Sequence, residues 1–190
     1  MIYHLIYHIN EIVAKAHQRA NMIHRCFVSR NVELLTRAFV TYVRPLLEYN
    51  SVIWSPSLKR DIALLEQVQR RFTKRLRGLK DHSYDERLKL LNLERLELRR
   101  IWSDLLWCYK IVFGLARVNK EKFFTLRLSR TRGHPYRLFK HFNSCSIRST
   151  YFSERVVNVW NCLSPEMIDF SSLASFRRSL EATDVGALTY

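Results

Sequence analysis

The sequence predicts a mainly α-helical fold, an antiparallel helical bundle with a short β-hairpin in its C-terminal part. Three observations point there. The 190 residues contain only four Gly and four Pro, too few turn formers for a sandwich or barrel of closely spaced turns. Apolar residues return at three- and four-residue steps over long stretches, the period of one helix face. Hydrophobic residues make up 47% and aromatics 13% of the chain, enough to fill a core and unlike the composition of disordered chains.

The first helix is expected over residues 3–28, where Ile2, Ile6, Ile9, Val13, Ala16, Ala20, Ile23 and Phe27 form one stripe. Ala16 and Ala20 allow a neighbour to approach closely, and Lys15 and Arg19 fall off the stripe. A second helix over 32–47 is expected to start at the N-cap Asn31. Its apolar set is Leu34, Leu35, Ala38, Phe39, Tyr42, Val43 and Leu46. Pro45 removes an amide donor and so predicts a kink or an ending near Arg44. After a tight connection anchored by Trp54, Ser55 reads as an N-cap and Pro56 as the first residue of a third helix.

That third helix, expected over 56–79, places Leu58, Ile62, Leu65, Val68, Phe72, Leu76 and Leu79 in an arc of ~120°, at ~100° per residue. Lys59, Arg70, Lys74 and Arg77 centre on the opposite side, with Arg71 and Arg75 along its flank. From 59 to 80 the basic residues are Lys59, Arg60, Arg70, Arg71, Lys74, Arg75, Arg77 and Lys80, against Asp61 and Glu66. Each cation near a helix C-terminus gains ~0.3–1 kcal/mol from the macrodipole, which accounts for one or two of them and not six. Gly78 marks the expected stop.

Ser83 and Glu86 form the spacing of a capping box, and a domain boundary, if present, falls at 80–83. A long helix follows Asn92 and ends at Gly114, with Leu98, Trp102, Leu105, Tyr109 and Val112 on one face. Leu96, Leu106 and Phe113 widen that belt and imply burial between other elements. Residues 119–150 are weakly patterned. Here YRLFKHF and SCSIRS are expected to pair as a hairpin across Asn143 and Ser144, and RTRGHP to form a basic loop. Two final helices are expected over 151–163 and 172–180, the latter capped by Ser171.

Net charge is +15, from 32 Lys and Arg against 17 Asp and Glu. So lopsided a balance points to a polyanionic partner, most often nucleic acid, with a membrane-surface binder as the alternative. Cys26, Cys108, Cys145 and Cys162 are far apart and form no CxxC pair, which fits a reducing compartment. The opening MIYHLIYHINEIV is too short and polar to span a bilayer and lacks a signal peptide's basic n-region. An intracellular protein is expected, in the cytoplasm and with the nucleus open to it.

Signatures of catalysis are few. The chain has no phosphate-binding GxxxxGK loop, no GxGxxG, no GxSxG and no HExxH. Its acidic residues are scattered, whereas two-metal catalysis needs clustered carboxylates. Asp85 and Glu86, the adjacent pair, suit the first turn of a helix. His134, His141, Cys145 and Cys162 are the best zinc candidates, yet their spacing matches none of the strong patterns. Cys162 lies in an apolar helix context and reads as a small hydrophobe. No cofactor and no metal are expected.

The basic helix remains. Mostly arginine, its charge suits bidentate phosphate contact, and its apolar face is regular enough to be used up as core. Further basic clusters occur at Arg99 and Arg100 and over 130–137. Contacts of this kind position a backbone and do not read sequence.

YVRPLLEYNSVIWSP (42–56) followed by IALLEQVQRRFTKRLRGL (62–79) resembles the region after the palm in jockey-like and related non-LTR (LINE) reverse transcriptases. The resemblance continues through SYDERLKLLNLERLELRRIWSDLLWCYKIVFG, RTRGH and CSIRSTYFSERVVNVWNCL, and covers the chain from about His8. It departs at 161–165, which read NCLSP where the family closes up as WN-x-LP. What it implies is a thumb-like three-helix region over 1–80 and a C-terminal helical region over 81–190, with the loop or hairpin at about 119–150. In that family, an RNA-directed DNA polymerase, the thumb holds the template–primer duplex. The implied nucleic-acid contacts are Arg70, Arg71, Lys74, Arg75 and Arg77, with Lys59 and Arg132 beside them. Trp54 and Trp160 read as core anchors. The expected function is therefore a non-catalytic grip on an RNA or DNA duplex, without membrane insertion. The alternatives are a protein-interaction or acidic-membrane-surface module, or the remnant of a mobile element.

Overall fold

Helices dominate a computed structural model that describes residues 2–127, 133–142 and 145–183. They are α1 (Ile2–Cys26), α2 (Val32–Tyr42), α3 (Arg44–Glu48), α4 (Ser51–Trp54), α5 (Lys59–Lys74), α6 (Tyr84–Leu91), α7 (Leu96–Val112), α8 (Ser146–Ser149), α9 (Phe152–Asn161) and α10 (Leu173–Ala182). A 3-10 turn lies at Lys120–Lys122. The fold is mainly α, as its sparse turn residues and helical periodicity predict.

The chain divides into two compact units, Met1–Arg99 and Arg100–Tyr190. The expected break at 80–83 lies inside the first unit, because the segment after it is bound to α5 by buried polar side chains described below.

In the first unit α1 is one unbroken helix whose stripe goes inward: Ile9, Ala16, Ala20 and Ile23 are buried, and Lys15 and Arg19 are exposed. α2 starts where Asn31 accepts a 2.9 Å hydrogen bond from the Leu34 amide. It buries Leu35, Ala38 and Phe39, whereas Leu34 and Tyr42 stay exposed. The helix gives way at Val43, and Pro45 sits in the first turn of α3, where its missing N–H costs nothing. Leu65, Val68, Phe72, Leu76 and Leu79 complete the core, with Phe39 and Phe72 stacked at 4.6 Å.

The start of the third helix differs from expectation. Residues 51–54 form the separate short α4, closed by Ser55, and α5 begins at Lys59 after Leu58, without a side-chain cap. Leu58 is exposed and outside the apolar stripe. Trp54 is half-buried against the core; its indole N–H donates to the Tyr49 carbonyl at 2.7 Å, and its ring meets His8 edge-on.

In the second unit, Trp160 is fully buried among Phe170, Phe176 and His134. Its indole N–H donates to the Tyr136 carbonyl at 2.8 Å. Tyr109 stacks on Phe113 and Phe176 and donates its hydroxyl to the Phe170 carbonyl. Arg155 holds Asp104 through two bonds of 2.8 and 2.9 Å. Gly114 follows α7 with φ +70, the left-handed conformation that ends a helix. α10 is capped by Ser172, one residue after the expected Ser171.

The expected pairing of YRLFKHF with SCSIRS does not form, and among the described residues a single antiparallel bridge stands elsewhere. Leu138 pairs antiparallel with Leu126; the Arg127 amide donates to the Arg137 carbonyl and the Phe139 amide to the Thr125 carbonyl, both at 2.8 Å. Residues 146–149 are the helix α8 instead of a returning strand, and Asn143 and Ser144 lie outside the described residues. Asn161 supports the ribbon by both donating to and accepting from the Leu138 backbone at 2.8 Å. Those two bonds satisfy one side of the extended segment, so it needs no partner from 145–149.

Candidate nucleic-acid interface

Taking ~100° per residue, the buried positions of α5 (Asp61, Leu65, Glu66, Val68, Gln69, Phe72 and Thr73) span an arc of ~160°. The exposed positions occupy a separate arc of ~120°: Lys59, Arg60, Ala63, Gln67, Arg70, Arg71 and Lys74. Cations hold most of that outer arc, and it contains no carboxylate. Both acidic residues of the helix turn inward, so neither neutralises it, apart from a 3.6 Å contact between Asp61 and Arg60.

A buried polar seam explains the wide inner arc. Glu66 accepts hydrogen bonds from the Tyr84 hydroxyl and, at 3.0 Å, from the Leu96 amide at the start of α7. Gln69, fully buried, donates to the Tyr84 oxygen at 3.1 Å and to the Glu94 carbonyl at 2.9 Å. Burial and the neighbouring Glu66 carboxylate push the Tyr84 phenol far above its ordinary range. Arg87, also buried, reaches Thr73 Oγ1 at 3.2 Å, the His82 carbonyl at 2.6 Å and the Arg70 carbonyl at 3.5 Å. The seam fastens α6 and the start of α7 against α5. Ser83 and Glu86 close the predicted capping box at the head of α6.

Lys74 is the last residue of α5, so the rod is shorter than the 56–79 expected. Beyond it the bonding tightens to three-residue steps: Arg75 N–H to the Phe72 carbonyl, Leu76 to Thr73, Leu79 to Leu76. Thr73 and Arg87 both donate to the Arg70 carbonyl there. Gly78 then turns the chain with φ +78. Leu76 and Leu79 still reach the core through this turn.

Lys59, Arg70, Arg71 and Lys74 therefore share one exposed arc, joined by Arg60, which sequence reasoning placed among the basic residues without assigning it a contact. Arg75 and Arg77 lie in the following turn, also exposed. Arg75 donates to Asn21 Oδ1 of α1 at 2.6 Å. Arg70 lies over the Tyr84 ring at 4.8 Å, a cation–π contact that orders its guanidinium. No carboxylate among the described residues pairs with Lys59, Arg70, Arg71, Lys74, Arg75 or Arg77. Arg132 lies outside the described residues.

The basic pair after α6 does not extend the surface. Arg99 is held by Glu48 through two bonds, and Arg100 is buried.

The zinc candidates do not assemble. Buried His134 contacts the Trp160 carbonyl at 2.9 Å, and Cys145 and Cys162 are exposed. Cys162, expected in an apolar setting, closes α9 at the surface, and the buried thiol is Cys108. Among the described residues no group of three or more His, Cys, Asp or Glu is placed to hold a metal. No helix there is long and apolar enough to cross a membrane.

Fold and surface define a mainly helical protein with a cationic ridge along one amphipathic helix. A Caenorhabditis elegans protein described as uncharacterized protein B0403.1 is 31% identical over 110 residues, covering 56% of this chain and 56% of its own length. The chain thus spans about half the length of the relative it matches. No family model matches the sequence, and no solved structure matches it.

Proposed function

We propose that this chain is a non-catalytic, thumb-like piece of a non-LTR retrotransposon reverse transcriptase that grips the backbone of a template–primer duplex. The observation that carries the reading is the acid-free outer arc of α5, with Arg75 and Arg77 continuing it. Its two ends, Lys59 with Arg60 and Arg70 with Lys74, are separated by about 16 Å of helix, a length over which duplex DNA carries about ten phosphate charges. Membrane-surface binding is less well supported, since Leu65, Val68 and Phe72 are already buried and leave α5 no apolar face for lipid.

The test is fluorescence anisotropy of the full chain on RNA–DNA hybrid, RNA and DNA duplexes across a salt series. Log affinity should fall linearly with log salt, with a slope of about −0.9 for each phosphate engaged. Replacing Arg70, Lys74 and Arg77 together by Glu should abolish binding while circular dichroism keeps its helical amplitude. Unchanged affinity in that variant rejects the assignment; loss of anionic-vesicle binding with duplex affinity intact favours the membrane alternative. Primer extension with Mg²⁺ should yield no product.

A further inference from the structure

A second surface, in the other unit, has a different chemistry. From 122 to 153 the sequence contains no Asp or Glu, while Lys122, Arg127, Arg130, Arg132, Arg137, Lys140 and Arg148 fall within it. The described part of this run includes the antiparallel bridge of Leu126 and Leu138, and the segment after Leu138 carries Phe139, Lys140, His141 and Phe142, all exposed. Phe142 is 96% exposed and Phe139 49%. Phe139 and His141 share one side of the extended segment and meet edge-to-face at 5.1 Å.

The platform under these rings is fixed. Leu138 is buried, Asn161 clasps its backbone from α9, and Phe124 packs edge-on against Phe152 at 5.8 Å. Exposed aromatic rings beside an anchored backbone, with Lys140 between them and no carboxylate in the run, match what unpaired bases on a phosphate chain require. Bases stack on the rings and phosphates meet the cations. A duplex hides its base faces and has no use for the rings.

We propose that the ribbon end, Phe139 to Phe142, binds single-stranded nucleic acid by base stacking, separately from the duplex grip of α5. The experiment compares a short oligothymidylate, an abasic strand of equal phosphate number and a blunt duplex, each titrated with the full chain. Phe139→Ala with Phe142→Ala should weaken oligothymidylate binding by about tenfold per ring that stacks, and leave the abasic strand and the duplex unchanged. Phe142→Ala alone, at a nearly fully exposed site, gives the same sign without touching the fold. Equal binding of the base-bearing and abasic strands, or no loss in either variant, overturns the proposal. So does a parallel loss on anionic vesicles, which would assign the rings to lipid. The α5 triple charge reversal separates the two readings: it should remove duplex binding and preserve the preference for bases over abasic sites.

Discussion

Replacing Glu66 by Leu tests whether the buried seam of α5 holds the first unit together. Leu fits the volume and cannot accept a hydrogen bond. Two donors, the Tyr84 hydroxyl and the Leu96 amide, then lose their acceptor inside the protein. An unsatisfied buried donor costs ~1–3 kcal/mol, and removing a buried carboxylate returns part of its desolvation, so a net loss of about 3 kcal/mol is expected. For a unit of the length of Met1–Arg99, each kcal/mol moves the melting temperature by about 4–8 °C, so its transition should drop by about 12–24 °C. Glu66→Gln keeps an acceptor for Leu96 and should lose only about 1 kcal/mol. The assay is calorimetry and urea unfolding of the full chain, completed by a double-mutant cycle of Glu66→Gln with Tyr84→Phe. Coupling above about 0.5 kcal/mol is expected for residues in one hydrogen-bonded network. Glu66→Leu melting with the unmodified protein would refute the reasoning, since it would mean that water or another group replaces the carboxylate.

In the second unit, Arg155→Leu should destabilise by about 3–5 kcal/mol, because the Asp104 carboxyl, already pushed upward by burial, then loses the two guanidinium hydrogen bonds that offset its desolvation. Changing Asp104 and Arg155 both to Leu should recover most of that loss in urea titrations. Stability should also fall with acidification. Burial above all, with a smaller push from nearby arginines, lowers the imidazoles of His17, His24 and His134 in the folded chain. The unfolded chain takes up these protons near the ordinary value of ~6.5, so the folded state loses stability as pH drops through and below that point. Urea midpoints at neutral and mildly acidic pH measure this, and His24→Gln should flatten the dependence.

Much of the fold was readable because it depends on neighbours in the chain. Asn31 caps α2, Pro45 divides α2 from α3, Ser83 and Glu86 close their box, and Gly114 ends α7; each acts over four residues or fewer. The cationic arc was readable for the same reason, since helical period alone places Arg70 beside Lys74. Other features were not. Glu66, Gln69 and Thr73 look like solvated flank positions, yet their seam with Tyr84, Arg87 and the start of α7 takes them inside. Arg99 and Arg100 look like extra positive surface until Glu48, some fifty residues earlier, claims the first of them. The partner of the 137–139 segment lay upstream at 125–127, and local patterning of YRLFKHF and SCSIRS pointed the other way.

The amino-acid order alone decides that the long helices form, where several of them are capped and that one carries cations opposite its apolar stripe, because helix period and capping are short-range. Only the packed chain decides which polar flank is taken inside and which arginines remain exposed. Buried charged groups such as Glu66 and Arg87 are stabilised by partners from other segments, and no local pattern records those partners.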